Sequence, residues 1–279
     1  MKAAAFDYVA PTALEEAIRL LAGAPDEAKP LAGGQSLGPM LNLRLAMPAL
    51  LVDLGRIEAL RRVEDRGDHH AIGALVTHAT LEDRIHRLAD GGMLARVARD
   101  IAYRAVRNRG TIGGSLAHAD PAADWLTALT VLDARLGLAG PDGRRDIALA
   151  DFVRGAFTTA LRPGEVIERV LLPKLGAGAR WAYYKICRKP GEFAEAIGAV
   201  VLDPGRRVAR IVAGALGGAP ARLDDLAARV ASDGPASADP ETLDRALDAA
   251  VPGLDPVGRQ LHAVALRRAL DRIAPGGMS

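Results

Sequence analysis

The chain has 279 residues, which is long enough for one large domain or for two to three small ones. Hydrophobic residues make up 49% and aromatic residues 4%, so we expect a sizeable core built mainly of Ala, Val, Leu and Ile. The 36 basic and 34 acidic residues leave a net charge of +2, and this balance argues against a nucleic-acid-binding or membrane-surface protein.

A single cysteine, Cys187, limits the covalent and metal chemistry of the chain. It cannot form an internal disulfide or hold an iron–sulfur cluster alone, and it suits a reducing compartment. Residues 1–8 lack the apolar stretch of a signal peptide, and no run approaches the roughly 18 apolar residues of a membrane span. We therefore expect a cytoplasmic protein with no membrane span and no metal site, in which Cys187 is a buried strand residue.

Residues 1–57 predict a compact βαβαβ-like unit. Apolar periodicity favours the first helix, and Ser36 is placed to cap a second helix that Pro48 ends. The predicted elements are a strand at 3–9, a helix at 11–21, an extended piece at 29–32, a helix at 37–45 and a strand at 49–54.

Residues 58–174 predict a mixture of hairpins and helices. Thr77 is a good N-cap for the first helix, and Gly140-Pro141-Asp142-Gly143 is typical of a hairpin turn. The predicted elements are a hairpin at 60–76, helices at 79–88 and 93–101, a helix beginning at Asp120-Pro121, and a hairpin at 134–150.

Beyond residue 165 the pattern changes to strands followed by helices. Alternating apolar runs at 166–172, 179–187, 194–202 and 207–216 predict four strands of one antiparallel sheet. Helices are predicted at 221–231, 240–249 and 256–273, with prolines between them. Strands followed by helices indicate an α+β domain.

Two glycine-rich motifs are the strongest candidates for a binding site: Ala32-Gly33-Gly34-Gln35-Ser36 and Arg109-Gly110-Thr111-Ile112-Gly113-Gly114-Ser115. Paired glycines can take positive φ and let a ligand approach the backbone closely. Free N–H groups in such turns bind anions, and the hydroxyls of Ser36, Thr111 and Ser115 add donors. Together the motifs could hold one large phosphate-bearing cofactor, although glycine pairs also occur in tight turns that bind nothing.

Other chemistry is less well supported. No GxGxxG follows a strand and no GxxxxGK[ST] occurs, which argues against a Rossmann or P-loop site. Gly34-Gln35-Ser36-Leu37-Gly38 matches the GxSxG nucleophile elbow, with Asp224 or Asp225 and His262 as potential triad partners. A hydrolase fold needs several β/α units before that serine, and the chain offers little room for them. We expect the histidines other than His118 to have surface or capping roles.

The same motifs carry a family resemblance. AGGQS at 32–36 and RNRGTIGGSLAHADPAAD at 107–124 resemble the two flavin-binding segments of the FAD-binding medium subunit of the molybdenum hydroxylases, the relatives of aerobic carbon monoxide dehydrogenase and xanthine dehydrogenase. Segments 53–60, 72–83 and 182–196 are also similar, so the likeness spans nearly the whole chain. It implies an α+β fold with a two-lobed FAD-binding domain of the vanillyl-alcohol-oxidase-like type, as lobes 1–57 and 58–174, and a C-terminal α+β domain at 175–279.

The resemblance also implies site residues. Asp124 would accept a hydrogen bond from a ribose hydroxyl at the adenosine end, and Ile167 would give a backbone contact near the adenine. Lys185 would reach the flavin ring, where a cation stabilises the reduced, anionic form. The remaining implied cofactor contacts are Ala32, Gly33, Gly34, Gln35, Ser36 and Leu37 in the first motif, Thr111, Gly113, Gly114 and Ser115 in the second, and His118 just after it.

The resemblance finally implies a function in electron transfer. A large subunit with a molybdenum cofactor and a small subunit with two [2Fe–2S] clusters would be the partners, as a dimer of heterotrimers, and FAD would pass electrons to an external acceptor. No catalytic acid, base or nucleophile is then expected in this chain. A free-standing flavin oxidoreductase and a cofactor-free interaction subunit remain alternatives. Phe193 stands where some relatives carry a tyrosine beside the flavin, so a role that needs a hydroxyl is not expected at this position.

Overall fold

A computed structural model describes residues 2–274 and arranges them around three larger β-sheets and one two-stranded ribbon, at 153–155 and 158–159, with helices packed between and outside them. The first sheet is parallel: the strand at 50–53 lies in the centre and pairs with the strands at 7–9 and 28–31. This confirms the predicted βαβαβ order. The elements are β1 (Asp7–Val9), α1 (Leu14–Gly23), β2 (Ala28–Leu31), α2 (Leu37–Asn42) and β3 (Leu50–Asp53).

Helix α2 is shorter than predicted. It ends at Asn42, because the following Leu43 acts as the C-cap and Arg44 takes a left-handed backbone conformation with φ of 58°. Ser36 occupies the N-cap position of α2, but its side chain makes no capping hydrogen bond. The predicted capping role of Ser36 is therefore wrong, and its hydroxyl is left for other partners.

The second sheet is antiparallel and has the order β4-β5-β10-β6-β7. Both predicted hairpins are present, as the β4–β5 pair and the β6–β7 pair. The elements are β4 (Val63–Asp65), β5 (His69–Gly73), α3 (His78–Glu82), α4 (Met93–Arg99), α5 (Arg104–Arg107), α6 (Ile112–His118), α7 (Asp124–Val131), β6 (Arg135–Gly140), β7 (Gly143–Ala148), α8 (Leu149–Phe152), β8 (Val153–Gly155), β9 (Thr158–Thr159) and β10 (Val166–Pro173).

Strand β10 is where the predicted topology is wrong. It does not begin a four-stranded C-terminal sheet but enters the second sheet between β5 and β6, antiparallel to both. Its apolar residues Val166, Ile167, Val170 and Leu172 are all buried. A strand with so much buried side-chain surface favours a central position, which the two hairpins on either side provide.

The third sheet is antiparallel in the order β11-β12-β13-β14 and carries helices on its outer face. Residues 221–222, predicted as the start of a helix, form the edge strand of this sheet instead. The combination of sheets and helices confirms the α+β fold class. The elements are β11 (Arg180–Ile186), β12 (Ala196–Asp203), β13 (Val208–Gly214), β14 (Ala221–Arg222), α9 (Asp224–Asp233), α10 (Pro240–Ala250) and α11 (Pro256–Ile273).

Strand β12 is buried along its whole length and separates two cores. Ile197 and Val201 face the core that contains Trp125 of α7, whereas Val200 faces the core that contains Leu266 of α11. The third sheet is thereby fixed against the body of the chain on one face and covered by α9–α11 on the other. None of the helices within residues 2–274 has the length and apolarity to cross a bilayer.

Candidate functional site

A cleft with a volume of about 510 Å³ lies where the three sheets meet. Its walls include Pro30 of β2, Ile167 of β10 and Lys185 of β11, so each sheet contributes to it. All residues predicted from the sequence to contact a cofactor line this one cleft: Ala32, Gly33, Gly34, Gln35, Ser36, Leu37, Thr111, Gly113, Gly114, Ser115, His118, Asp124, Ile167 and Lys185.

The first glycine motif presents unpaired backbone donors to the cleft. Gly34 has a left-handed φ of 72°, which turns the chain between β2 and α2. The carbonyls of Gly34 and Ser36 accept hydrogen bonds from the following helix. The N–H groups of residues 33–36 have no hydrogen-bond partner within residues 2–274. Consecutive free N–H groups of this kind form a binding surface for an anion.

The second glycine motif differs from its prediction. It is the start of helix α6 and not a turn of positive φ, and the hydroxyl of Thr111 caps the helix by accepting from the N–H of Gly114 at 3.1 Å. The N–H groups of Ile112 and Gly113 are used by carbonyls of the segment before α3. Among the N–H groups of residues 110–115, that of Thr111 alone has no partner in the described part of the chain.

Glycine is needed here for close packing between segments. A Cβ atom on Gly33 would lie 2.0 Å from the carbonyl oxygen of Arg109, and one on Gly113 would lie 2.4 Å from the Cβ of Ala74. A Cβ atom on Gly114 would lie 3.4 Å from that of Ala32. The two motifs, about 80 residues apart in sequence, therefore pack directly against each other, with backbone meeting backbone at Gly33.

A buried ion pair forms another part of the cleft wall. The Lys185 ammonium lies 2.9 Å from Oδ2 of Asp124, and the Tyr183 hydroxyl donates to Oδ1 of Asp124 at 2.7 Å. The side chains of Lys185 and Asp124 are each 5% exposed. Burial raises the pKa of Asp124, although Lys185 and Tyr183 oppose that shift, and it raises the pKa of Tyr183 well above its usual value.

This ion pair corrects one expectation. Asp124 and Lys185 were predicted at opposite ends of the cofactor, yet their side chains bond to each other and so occupy one region of the cleft. Lys185 also donates to the backbone carbonyl of Asp100 at 3.3 Å. The sequence could not reveal this contact, because Asp124 and Lys185 are 61 residues apart and lie on different elements.

His78 is a cleft residue that sequence reasoning missed. It is buried, with 5% of its surface exposed, and its Nδ1 accepts a hydrogen bond from the indole N–H of Trp125 at 3.0 Å. Burial, together with the positive charge of Arg107, lowers the pKa of His78 to about 4. The expected surface or capping role for His78 is therefore wrong, as it is for the buried His70 and His262. The signal that could have found it is its place directly after the N-cap Thr77, within the apolar segment 72–83.

His118 and Phe193 lie at the cleft, whereas Cys187 does not match its prediction. The ring centroid of His118, at the end of α6, lies 5.1 Å from that of Phe157, and the exposed Phe193 also lines the cleft. Cys187 follows β11 and is half-buried, so the prediction of a buried strand residue is wrong. Within residues 2–274, no group of three His, Cys, Asp or Glu is placed to hold a metal ion.

The serine-hydrolase hypothesis fails on geometry. The ring nitrogens of His262 lie 2.7 Å and 2.9 Å from the carbonyl oxygens of Gly258 and Gly214. Neither His262 nor Asp224 lines the cleft that contains Ser36. The triad that the order of these residues allowed is not assembled.

Comparison with known proteins identifies the family. A family model described as "FAD binding domain in molybdopterin dehydrogenase" matches residues 4–175, more than half of the chain. The chain belongs to this family. The predicted resemblance is therefore confirmed, and FAD is the cofactor.

Relatives of this FAD-binding family align over most of the chain. The 6-hydroxypseudooxynicotine dehydrogenase complex subunit alpha of Paenarthrobacter nicotinovorans is 38% identical over 280 residues, which cover 98% of this chain and 94% of the relative. The carbon monoxide dehydrogenase medium chain of Hydrogenophaga pseudoflava is 40% identical over 197 residues, 71% of this chain and 69% of the relative.

Solved structures agree with this family and with the α+β fold. A chain of quinoline 2-oxidoreductase from Pseudomonas putida 86 superposes with a TM-score of 0.88 at 32% identity over 100% of both chains. A chain of the Cu,Mo-CO dehydrogenase superposes with a TM-score of 0.89 at 32% identity over 98% of both chains.

The cleft fits FAD by its own chemistry. A diphosphate needs hydrogen-bond donors, and residues 33–36 supply unpaired N–H groups beside the hydroxyls of Ser36 and Ser115. The close approach of Gly33 to Arg109 brings the two motifs together on one side of the cleft. The volume of about 510 Å³ lies within the range of small-molecule sites.

Proposed function

We propose that this chain is the FAD-binding electron-transfer subunit of a multi-subunit molybdenum hydroxylase. In this function FAD receives electrons from iron–sulfur clusters of a partner subunit and passes them to an external acceptor. The single observation that supports it most strongly is the glycine-lined cleft, with its free N–H groups, in a chain of the FAD-binding molybdopterin dehydrogenase family. When bound, FAD supplies the redox chemistry, and the protein supplies binding and orientation.

The proposed contacts follow from the wall of the cleft. The N–H groups of residues 33–36 and Thr111 would donate to the diphosphate, with the hydroxyls of Ser36 and Ser115 beside them. Ala32, Gly113 and Gly114 would form the floor on which it lies, while Leu37, His118 and Ile167 would contact the remaining parts of the cofactor.

Asp124 and Lys185 are proposed to act as one unit. Asp124 holds the Lys185 ammonium in place, so the cation is fixed at the wall before the cofactor arrives. A cation held in this way would favour the anionic reduced form of a flavin ring placed against it.

The names of relatives support a chain that works with partner subunits. Relatives are named as a subunit of a dehydrogenase complex and as a medium chain of carbon monoxide dehydrogenase. We propose a large subunit with a molybdenum cofactor and a small subunit with [2Fe–2S] clusters, assembled as a dimer of heterotrimers in the cytoplasm. The division into 1–57, 58–174 and 175–279 is proposed as its domain organisation.

The test combines a spectrum with an electron-transfer measurement. The chain, co-expressed with the subunits of its own complex, should be yellow and contain about one FAD. The purified FAD-loaded chain should be reduced by the reduced iron–sulfur subunit and should not turn over organic donors alone.

Two outcomes would contradict this function. Turnover of an organic donor by the isolated chain would favour a free-standing flavin oxidoreductase. A colourless chain that takes up no added FAD would favour an interaction subunit without a cofactor.

A further inference from the structure

His78 places a hydrogen-bond donor in the cleft that no protein group uses. The residue begins helix α3, and its backbone N–H donates to the carbonyl of Gly110 at 2.9 Å. The segment before α3 and the start of the second glycine motif are thus joined at this point. The imidazole is carried into the wall of the cleft, where it is 5% exposed.

Trp125 determines which ring nitrogen of His78 carries the proton. An indole N–H can only donate, so the Nδ1 that lies 3.0 Å from it must be the acceptor. A neutral imidazole that accepts at Nδ1 carries its hydrogen on Nε2. The ring is therefore held as a donor at Nε2.

The Nε2 edge of the ring lies against the backbone of Gly110, at the wall of the cleft. A Cβ atom on Gly110 would lie 2.8 Å from Nε2, so glycine at position 110 leaves room for the ring edge. Nε2 has no hydrogen-bond partner within residues 2–274. It is nevertheless not fully shielded from solvent, unlike Thr127 Oγ1, which is buried and also lacks a partner in that range. Because His78 and Gly110 both line the cleft, Nε2 reaches solvent through it.

The position of His78 lies between two parts of the proposed FAD site. On one side, Gly110 is the neighbour of Gly33, whose added Cβ would lie 2.9 Å from the Cα of Gly110. On the other side, Trp125 directly follows Asp124, which holds Lys185. His78 is thus connected through Gly110 to the first motif and through Trp125 to the Asp124–Lys185 pair.

We propose that His78 is a cofactor-contacting residue, whose Nε2–H donates a hydrogen bond to an oxygen of bound FAD while Trp125 holds the ring in the donor tautomer. The inference rests on the proposed FAD site and adds to it a side chain that the glycine motifs do not include. Bound FAD would exclude water from this donor, so a ligand with an oxygen at that place is favoured over one that leaves the N–H unpaired.

The test compares FAD affinity among matched variants, measured by quenching of flavin fluorescence on titration of the apoprotein. His78→Leu removes the donor and should weaken FAD binding by about tenfold, the usual worth of one well-placed hydrogen bond. His78→Gln returns an N–H donor and should restore affinity to within about threefold of the wild type. His70→Leu is the control, because His70 is also 5% exposed but does not line the cleft, and it should leave FAD affinity unchanged.

A second measurement keeps the inference testable if His78→Leu fails to fold. In wild-type protein labelled with ¹⁵N-histidine, the Nε2–H signal that is missing from His78→Gln should shift when FAD is added. An unshifted signal, or equal FAD affinity in His78→Leu and the wild type, would overturn the role of His78 and leave the FAD site intact. A wild-type chain that binds no FAD would overturn both.

Discussion

At the scale of single residues, His78 carries a pH dependence that its surroundings impose. Its pKa of about 4 in the folded chain lies below the ordinary value of 6.5, so the unfolded chain binds the proton more readily between these values. The stability that His78 contributes is complete above pH 6.5 and is lost as the pH falls through 4. The shift corresponds to about 3 kcal/mol.

This sign gives a prediction for acid unfolding. Between about pH 7 and pH 4, the unfolding free energy of the wild type should fall by about 3 kcal/mol more than that of His78→Gln, because the glutamine at position 78 does not take up a proton. Urea denaturation of the apoproteins across this range measures the difference. Parallel pH curves for the two proteins would show that His78 does not titrate as the geometry requires.

The buried pair of Asp124 and Lys185 leads to a second prediction. Lys185→Met leaves the Asp124 carboxylate buried without its cation and should lower the unfolding free energy of the apoprotein by about 3 kcal/mol. Tyr183→Phe removes one hydrogen bond and should cost about 1 kcal/mol. The double variant Asp124→Asn with Lys185→Met should recover part of the loss, since no unpaired charge remains.

Chemical denaturation separates these cases. A loss of unfolding free energy below about 1 kcal/mol in Lys185→Met would mean that the Asp124 carboxylate is not left buried and unpaired when the lysine is absent.

At the scale of elements, the contact between the two glycine motifs predicts a sharp difference between two similar substitutions. Gly33→Ala places a Cβ 2.0 Å from the carbonyl oxygen of Arg109 and has to push the motifs apart, so FAD affinity should fall by more than about tenfold. Gly38→Ala, five residues on, meets nothing within 4 Å and lies inside α2. It should keep FAD affinity and stabilise the apoprotein by about 0.5 kcal/mol.

Fluorescence titration with FAD and thermal unfolding test this pair of variants. Equal FAD affinity in Gly33→Ala and Gly38→Ala would mean that the spacing between the motifs does not determine binding.

The elements and the site residues were predictable from the sequence to different degrees. Local signals located both hairpins, the Thr77 cap and both glycine motifs, because turn and cap chemistry is decided by near neighbours. The sheet in which β10 lies was not predictable, since its partners β5 and β6 are far away in sequence. The helical start of the second motif was also missed, because glycine pairs were interpreted through φ and not through the Ala74 contact that requires Gly113.

At the scale of the whole molecule, the cleft depends on all three sheets, so FAD should stabilise the chain as a unit. Free FAD at 100 times its Kd should raise the unfolding free energy by about 2.7 kcal/mol. At the same concentration, AMP and FMN should each stabilise the chain less than FAD, because each fills only part of a cleft whose walls come from β2, β10 and β11. Thermal unfolding with each ligand measures this order, and equal stabilisation by AMP and FAD would place all of the binding energy at the adenosine end.

The central position of β10 has a consequence for how the chain is made. Until the ribosome has released residue 173, the hairpins β4–β5 and β6–β7 each expose an edge that β10 later covers. A nascent chain stalled before this point exposes two strand edges with unpaired backbone N–H and C=O groups, which can pair with other unfolded chains and lead to aggregation. Any shortened version of the protein that is meant to be soluble should therefore extend past Pro173.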